Sequence, residues 1–400
     1  MGTLESWKRT MWILWGGVLL CSASYTMAVP FLPLFLFDLG VSEQSVNLWA
    51  GIVHSSAFLV GALMAPLWGS MADRYGKRKM VIRAGLSLAV IYALLAFVRN
   101  PWELIAVRML HGLVGGFVPA SMSIVASVTP ENKVGWSLGM MQAGTMTGAI
   151  MGPLLGGGLS VLFGLRMSFV ISAALILIAT LAVIKWVREG ETKKQKRTKI
   201  WDDLKYALSS PSLTRLLLLL LIFQLSINMM QPLLTLHIAA LQGDLRGAVL
   251  SSGFVFSLIG IAGIIASPLW GKAGETRGYN KMLAFCLIIS GIVVSMQFFV
   301  EQLWLFTVVQ FCFGLFMAGI APAVNTLVVR ETDEAFRGRS FGLTTSANQL
   351  GAMIGPLIGG GMGLFLSIHW IFVTTGAVLL CTGITVLLRS RSKQAAHSLS

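Results

Sequence analysis

The stretch Pro66-Leu67-Trp68-Gly69-Ser70-Met71-Ala72-Asp73-Arg74-Tyr75-Gly76-Lys77-Arg78-Lys79 returns 202 positions later as Pro268-Leu269-Trp270-Gly271-Lys272-Ala273-Gly274-Glu275-Thr276-Arg277-Gly278. In both copies an apolar run ends in a short basic loop with one acid, Asp73 in the first and Glu275 in the second. The match extends along the chain. Pro30 pairs with Pro232, Pro119-Ala120 with Pro322-Ala323, and Gly152, Pro153, Gly156, Gly157 and Gly158 with Gly355, Pro356, Gly359, Gly360 and Gly361, at offsets of 202 or 203 residues. So long a period belongs to a duplicated helical bundle rather than to a solenoid. Copies in the same orientation form a parallel repeat about an axis along the membrane normal.

The surroundings of these copies are those of a membrane chain. Of the 400 residues 56% are hydrophobic and 12% charged, where a soluble domain carries about 25% charged residues. Thirty Lys and Arg against sixteen Asp and Glu give a formal charge of +14. The cations lie in alternate loops between apolar runs, which favours a membrane over nucleic acid as the partner. A bilayer core needs roughly 20 apolar residues per helix, and twelve runs qualify: 11–37, 46–70, 80–98, 102–126, 135–163, 167–187, 213–240, 248–271, 282–300, 302–329, 339–366 and 369–388. The expected fold is an all-α membrane protein of twelve transmembrane helices in two pseudo-symmetric six-helix bundles. Residues 1–187 and 213–400 form the bundles, and 188–212, with Lys193, Lys194, Lys196, Arg197 and Lys199, form a linker loop. The positive-inside rule places both termini and this loop in the cytoplasm. The first run is too long for a signal peptide and is expected to remain as a helix.

Candidate functional residues are polar groups on otherwise apolar spans. Arg108 lies six residues past Trp102, and a cation at mid-helix costs about 2.5 to 3.5 kcal/mol on insertion scales. It is expected either to handle cargo or protons or to snorkel to the interface. His111, three residues on, lies near the same face. Gln224, Asn228 and Gln231 form an i, i+4, i+7 stripe expected to face the interior, for cargo contact or helix-to-helix hydrogen bonding. Tyr25, Gln142 and Gln310 are weaker candidates. Every Asp and Glu falls in a loop or at a helix end. The four cysteines have no CxxC spacing and no phosphate-cradling GxxxxGK(S/T) loop occurs, so neither a metal site, a cofactor nor ATP hydrolysis is indicated. The acid-free spans also argue against an intramembrane enzyme.

Four elements in order resemble the major facilitator superfamily. The loop Gly69, Asp73, Arg74, Gly76, Lys77, Arg78 is similar to that superfamily's GxxxD(R/K)xGR(R/K) signature. Arg108 to Gly112 is similar to its RxxxG element. Gly148, Gly152, Pro153, Gly156 and Gly157 resemble the GxxxGPxxGG antiporter motif, and Pro30-Phe31-Leu32-Pro33 another element of the twelve-helix drug:proton antiporters. The resemblance implies a loop that switches conformation. The duplication brings Asp73 toward the start of the eleventh helix near Gly338 to Phe341, and Glu275 toward that of the fifth near Gly135. A carboxylate at a helix N-terminus contributes roughly 0.3 to 2 kcal/mol, enough to bias two states. The motif glycines permit close packing, either at a rocking interface or within one bundle.

The resulting expectation is a secondary transporter in the bacterial cell membrane, monomeric, exporting small amphipathic compounds by alternating access against protons. The alternative is a facilitator or importer of a defined metabolite on the same fold. Many drug:proton relatives carry an acid in the first helix where this chain reads Ser22-Ala23-Ser24-Tyr25-Thr26, so the proton carrier does not transfer from the resemblance. One permanent cation and no intramembrane carboxylate favour neutral, zwitterionic or anionic amphiphiles as cargo.

Overall fold

The computed structural model describes residues 2–130, 133–187, 205–206, 208–332 and 337–398, and every regular element among them is helical. The first half contains α1 (Gly2–Ala28), α2 (Leu32–Asp38), α3 (Val46–Tyr75), α4 (Lys77–Phe97), α5 (Pro101–Val114), α6 (Phe117–Val128), α7 (Val134–Phe163) and α8 (Leu165–Trp186). The second half contains α9 (Pro211–Gln242), α10 (Leu245–Arg277), α11 (Tyr279–Met296), α12 (Leu303–Met317), α13 (Ile320–Arg330), α14 (Arg337–Phe365) and α15 (His369–Ser398). Eleven described spans are long and apolar enough to cross a membrane. The twelfth expected run, 339–366, forms α14, whose first half is polar with Ser340, Thr344, Thr345, Ser346, Asn348 and Gln349.

Three of the expected runs are divided. Pro30 and Pro33 cannot donate a backbone hydrogen bond, so a 3-10 turn at Val29–Phe31 separates α1 from α2. The run at 102–126 breaks between α5 and α6, where Gly116 takes φ +117°, a conformation that favours glycine. The run at 302–329 breaks at the equivalent place, Ala318–Gly319, between α12 and α13. Both breaks leave carbonyls at a helix end, and both are met by the same device. Trp68 Nε1 donates to the Leu113 carbonyl at 2.5 Å, and Trp270 Nε1 to the Leu315 carbonyl at 2.7 Å. The duplication read in the sequence is thus present as duplicated hydrogen bonds. The loops that follow the two tryptophan helices turn on Gly76 and Gly278, with φ of +97° and +88°.

Close packing divides the chain into two compact units. The first comprises Met1–Val46, Ser56–Lys196 and Asp244–Ser257, the second Asn47–Ser55, Arg197–Gly243 and Leu258–Ser400. In the first, α1 packs against α7 and α8, and α4 against α8. In the second, α9 packs against α14 and α15, and α11 against α15.

Glycines set the tightest of these contacts. A Cβ at Gly148 would run into the Leu19 carbonyl oxygen, at Gly152 into Thr26 Oγ1 and at Gly156 into the Met27 carbonyl oxygen, all on or at the end of α1. The second unit repeats this at Gly351, Gly355 and Gly359 against the carbonyls of Leu221, Leu225 and Met229 on α9. Side chains reinforce the α1 to α7 contact: Ser22 Oγ donates to the Thr145 carbonyl at 2.8 Å and Thr26 Oγ1 to that of Gly148 at 3.3 Å.

Candidate functional site

The first unit buries a guanidinium on α5. Asn100 starts this helix by accepting from the Glu103 amide through Oδ1 at 2.9 Å, while its own Nδ2 donates to Glu103 Oε1 at 2.7 Å. Such a cap fixes where the helix begins, and Arg108 follows two turns later. At 1.5 Å per residue it lies about 10 Å beyond Pro101, and its exposure is 0%. It does not snorkel. Its Nη1 lies 2.7 Å from His111 Nδ1. Arginine can only donate, so this contact requires His111 Nδ1 to accept.

Two phenols flank this pair. The ring of Tyr25 on α1 lies 5.7 Å from that of His111, and Tyr92 on α4 lies 5.5 Å from it. Tyr92 is 1% exposed and its hydroxyl has no hydrogen-bond partner among the described residues. The structure therefore brings Arg108, His111 and Tyr25 together, and adds Tyr92, which the sequence analysis did not single out. Its signal there is a single phenol in the apolar run 80–98.

The remaining candidates are described within their own units. Gln142 on α7 is exposed. In the second unit Gln224 and Gln231 are half-buried, and Asn228, 2% exposed, turns its Nδ2 back to the Gln224 carbonyl at 2.8 Å. Gln310 is fully buried and donates through Nε2 to Gln297 Oε1 at 3.2 Å, a helix-to-helix amide pair.

In the loop after α3 the described cations donate to helix carbonyls. Arg78 donates through Nε to the Val187 carbonyl and through Nη2 to that of Ile184, both at 2.6 Å, at the C-terminal end of α8. A cation there meets the negative end of the helix dipole. Lys77 Nζ donates to the Ser123 carbonyl on α6 at 3.3 Å. Glu275 is exposed on α10. The side chains at Gly69, Asp73, Arg74, Gly135, Gly338, Arg339 and Phe341 lie outside the described residues.

Arg83 is a cation inside α4. Its guanidinium stacks 3.4 Å from the Trp68 ring centroid and donates to the Gly115 carbonyl at 3.0 Å, closing the break between α5 and α6. The antiporter-motif glycines have two faces. Gly148, Gly152 and Gly156 are occupied by α1, whereas Gly157 faces Val249 and Leu250, and the Pro153 carbonyl abuts Gly253, on the part of α10 that belongs to the first unit.

Comparison with known proteins agrees with this architecture. The model of the Major Facilitator Superfamily matches residues 14–272 and again 233–399. The multidrug resistance protein MdtG of Serratia proteamaculans is 34% identical over 380 residues, covering 94% of this chain and 92% of that protein. MdtG of Proteus mirabilis is 34% identical over 380 residues, covering 94% of each. Among solved structures, a bacterial homolog of the human lysosomal transporter Spinster superposes with TM-score 0.81 at 15% identity, covering 95% of this chain and 96% of that one. The nucleoside transporter NupG gives 0.81 at 14% identity, covering 95% and 99%. These likenesses share the fold, and the sequence matches extend over nearly the whole chain: a multi-pass membrane transporter rather than an enzyme, the protein belongs to the Major Facilitator Superfamily.

Proposed function

We propose that the protein exports small amphipathic compounds from the cytoplasm by alternating access, in exchange for protons. The observation that carries this reading is the Arg108 to His111 contact, part-buried and flanked by the rings of Tyr25 and Tyr92, in a chain whose spans contain no Asp or Glu in their interiors. The names of the relatives, multidrug resistance proteins, support an export role.

The chemistry of the pair supplies a coupling device. Protonation of His111 Nδ1 removes the lone pair that accepts from Arg108 and sets an imidazolium against a guanidinium. The proton and the contact are therefore mutually exclusive. Cargo with an anionic or polar group near Arg108 compensates the guanidinium, while the two tyrosine rings take apolar or aromatic surface. Neutral, zwitterionic and anionic amphiphiles fit this site better than dications, which would need a carboxylate to offset their burial.

The same reading assigns 1–187 and 213–400 as the two bundles, with 188–212 as a cytoplasmic linker. Both termini are cytoplasmic, the working unit is a monomer in the bacterial inner membrane, and Asp73 and Glu275 bias the conformational equilibrium. The test is compound accumulation in cells with and without the protein, with and without a protonophore. Lower accumulation that the protonophore abolishes is the expected result. Accumulation unaffected by the protein, or growth on one carbon source that requires it, would replace export with uptake or facilitation.

A further inference from the structure

The second unit contains a cavity of about 360 Å³ that the transport reading does not use. It lies where α9 begins, α11 begins, α13 ends and α15 nears its end, and its size falls within the roughly 300 to 1,000 Å³ typical of ligand pockets. Ser212 and Asn280 line it, one in the first turn of α9 and the other in the first turn of α11. The opening amides of a helix have no intrahelical acceptor, and two such ends converge here on one space. Arg215 and Arg389 line it as well. Arg215 is exposed, and its Nε donates to the Pro211 carbonyl at 2.8 Å. Glu331 is the carboxylate of the lining, so its charged side chains, Arg215, Arg389 and Glu331, sum to a positive site.

The rest of the wall is apolar, with Leu219, Leu283 and Leu327. Depth follows from the helix. Arg389 lies 20 residues past His369 on α15, about 30 Å at 1.5 Å per residue, which is the thickness of a bilayer's hydrocarbon core. The cavity therefore sits at the boundary between headgroups and acyl chains. Leu218 in its lining is 51% exposed and lies three residues past Arg215 on α9, apolar surface next to the charged end.

We infer that this cavity is a binding site for one phospholipid with an anionic headgroup, its phosphate held by Arg215, Arg389 and the first turns of α9 and α11, and its acyl chain laid along Leu218 and the apolar wall. Basic pockets between helices at the headgroup level bind such lipids, and a guanidinium pairs with phosphate through two parallel hydrogen bonds. The inference is independent of cargo and of proton coupling.

Native mass spectrometry of the purified full chain tests it, with phosphatidylglycerol, phosphatidylcholine or inorganic phosphate added. The wild type should retain one phosphatidylglycerol at concentrations where phosphatidylcholine is lost. Arg215→Gln with Arg389→Gln should weaken that retention about tenfold or more, the loss of about 1.4 kcal/mol or more. Lys133→Gln with Lys272→Gln removes the same charge elsewhere and should leave it unchanged. Thr385→Phe, which narrows the cavity without touching a charge, should also weaken it and serves if the arginine variant fails to fold. Equal retention in the cavity variants, an equal loss in the lysine control, or equal binding of phosphatidylcholine overturns the proposal. Displacement of the lipid by equimolar inorganic phosphate would overturn the lipid assignment in favour of a small-anion site.

Discussion

The helix broken at Gly115–Gly116 and its copy broken at Ala318–Gly319 share a backbone device and differ in what they bury. Both are closed by an indole donating to a helix-end carbonyl, from Trp68 in one and Trp270 in the other. Around the first lie Arg83, Tyr92, Arg108 and His111, whose matching positions in the second are Phe285, Val294, Phe311 and Gly314. The second buries instead the amide pair Gln297 and Gln310, matched in the first by Leu95 and Val107. The scaffold is duplicated and the polar chemistry is not. A contact common to both repeats reads as packing, and a polar group present in only one is a candidate for function.

The opposite helix ends show the same divergence. Phe35 packs on Phe169 at 5.3 Å, with the Arg166 guanidinium 5.1 Å from its ring, while the equivalent positions give His237 packed 4.9 Å from Phe372 and 5.1 Å from His369. Arg166 also caps α4 by donating to the carbonyls of Ala96 and Val98 at 2.7 and 2.8 Å.

The largest expected stability change tests the shared part. Gly152→Ala and Gly355→Ala each force a methyl into facing backbone and should each cost about 2 to 3 kcal/mol, read as a lower unfolding midpoint in detergent. A large loss at one position with none at the other would break the symmetry of the scaffold. Next is the polar pair peculiar to the second unit. Gln297→Ala leaves the buried Gln310 amide without its acceptor and should cost about 1 to 2 kcal/mol by the same measurement. Gln297→Leu with Gln310→Val, the residues of the first repeat, should recover part of it. Smaller still, Arg83→Phe, which imports the second repeat's residue, should cost about 1 kcal/mol through the lost stacking on Trp68. Gly158→Ala and Gly361→Ala, where an added Cβ meets nothing within 4 Å, should leave the midpoint within about 0.5 kcal/mol.

Much of the fold was legible because hydrophobic run length and the 202-residue echo are properties of the chain itself. The breaks within the fourth and tenth runs were not, since hydropathy averages over Gly115 and Gly116, which have no polarity to report. The site was legible where burial carries a cost, at Arg108, and where spacing on one helix sets a neighbour, at His111. Tyr92 reaches the same place from another helix, which periodicity along one helix does not encode. Arg83 carried no signal of its own, because charge near a span's end reads as loop; its guanidinium enters the span where helix-end carbonyls and an indole receive it.

On the proposed function, the polar chemistry of transport belongs to the first repeat. Its most direct test is export of one acidic amphiphile and one lipophilic cation by wild type, Arg108→Ala, His111→Ala and Phe311→Ala, each assayed with and without a protonophore. Arg108→Ala should lose export of the acidic compound by at least about tenfold, the equivalent of 1.4 kcal/mol. His111→Ala should retain binding while export no longer responds to the protonophore, and Phe311→Ala should change either rate by less than about threefold. Full export of both compounds by Arg108→Ala, or a larger loss in Phe311→Ala than in Arg108→Ala, would contradict the account.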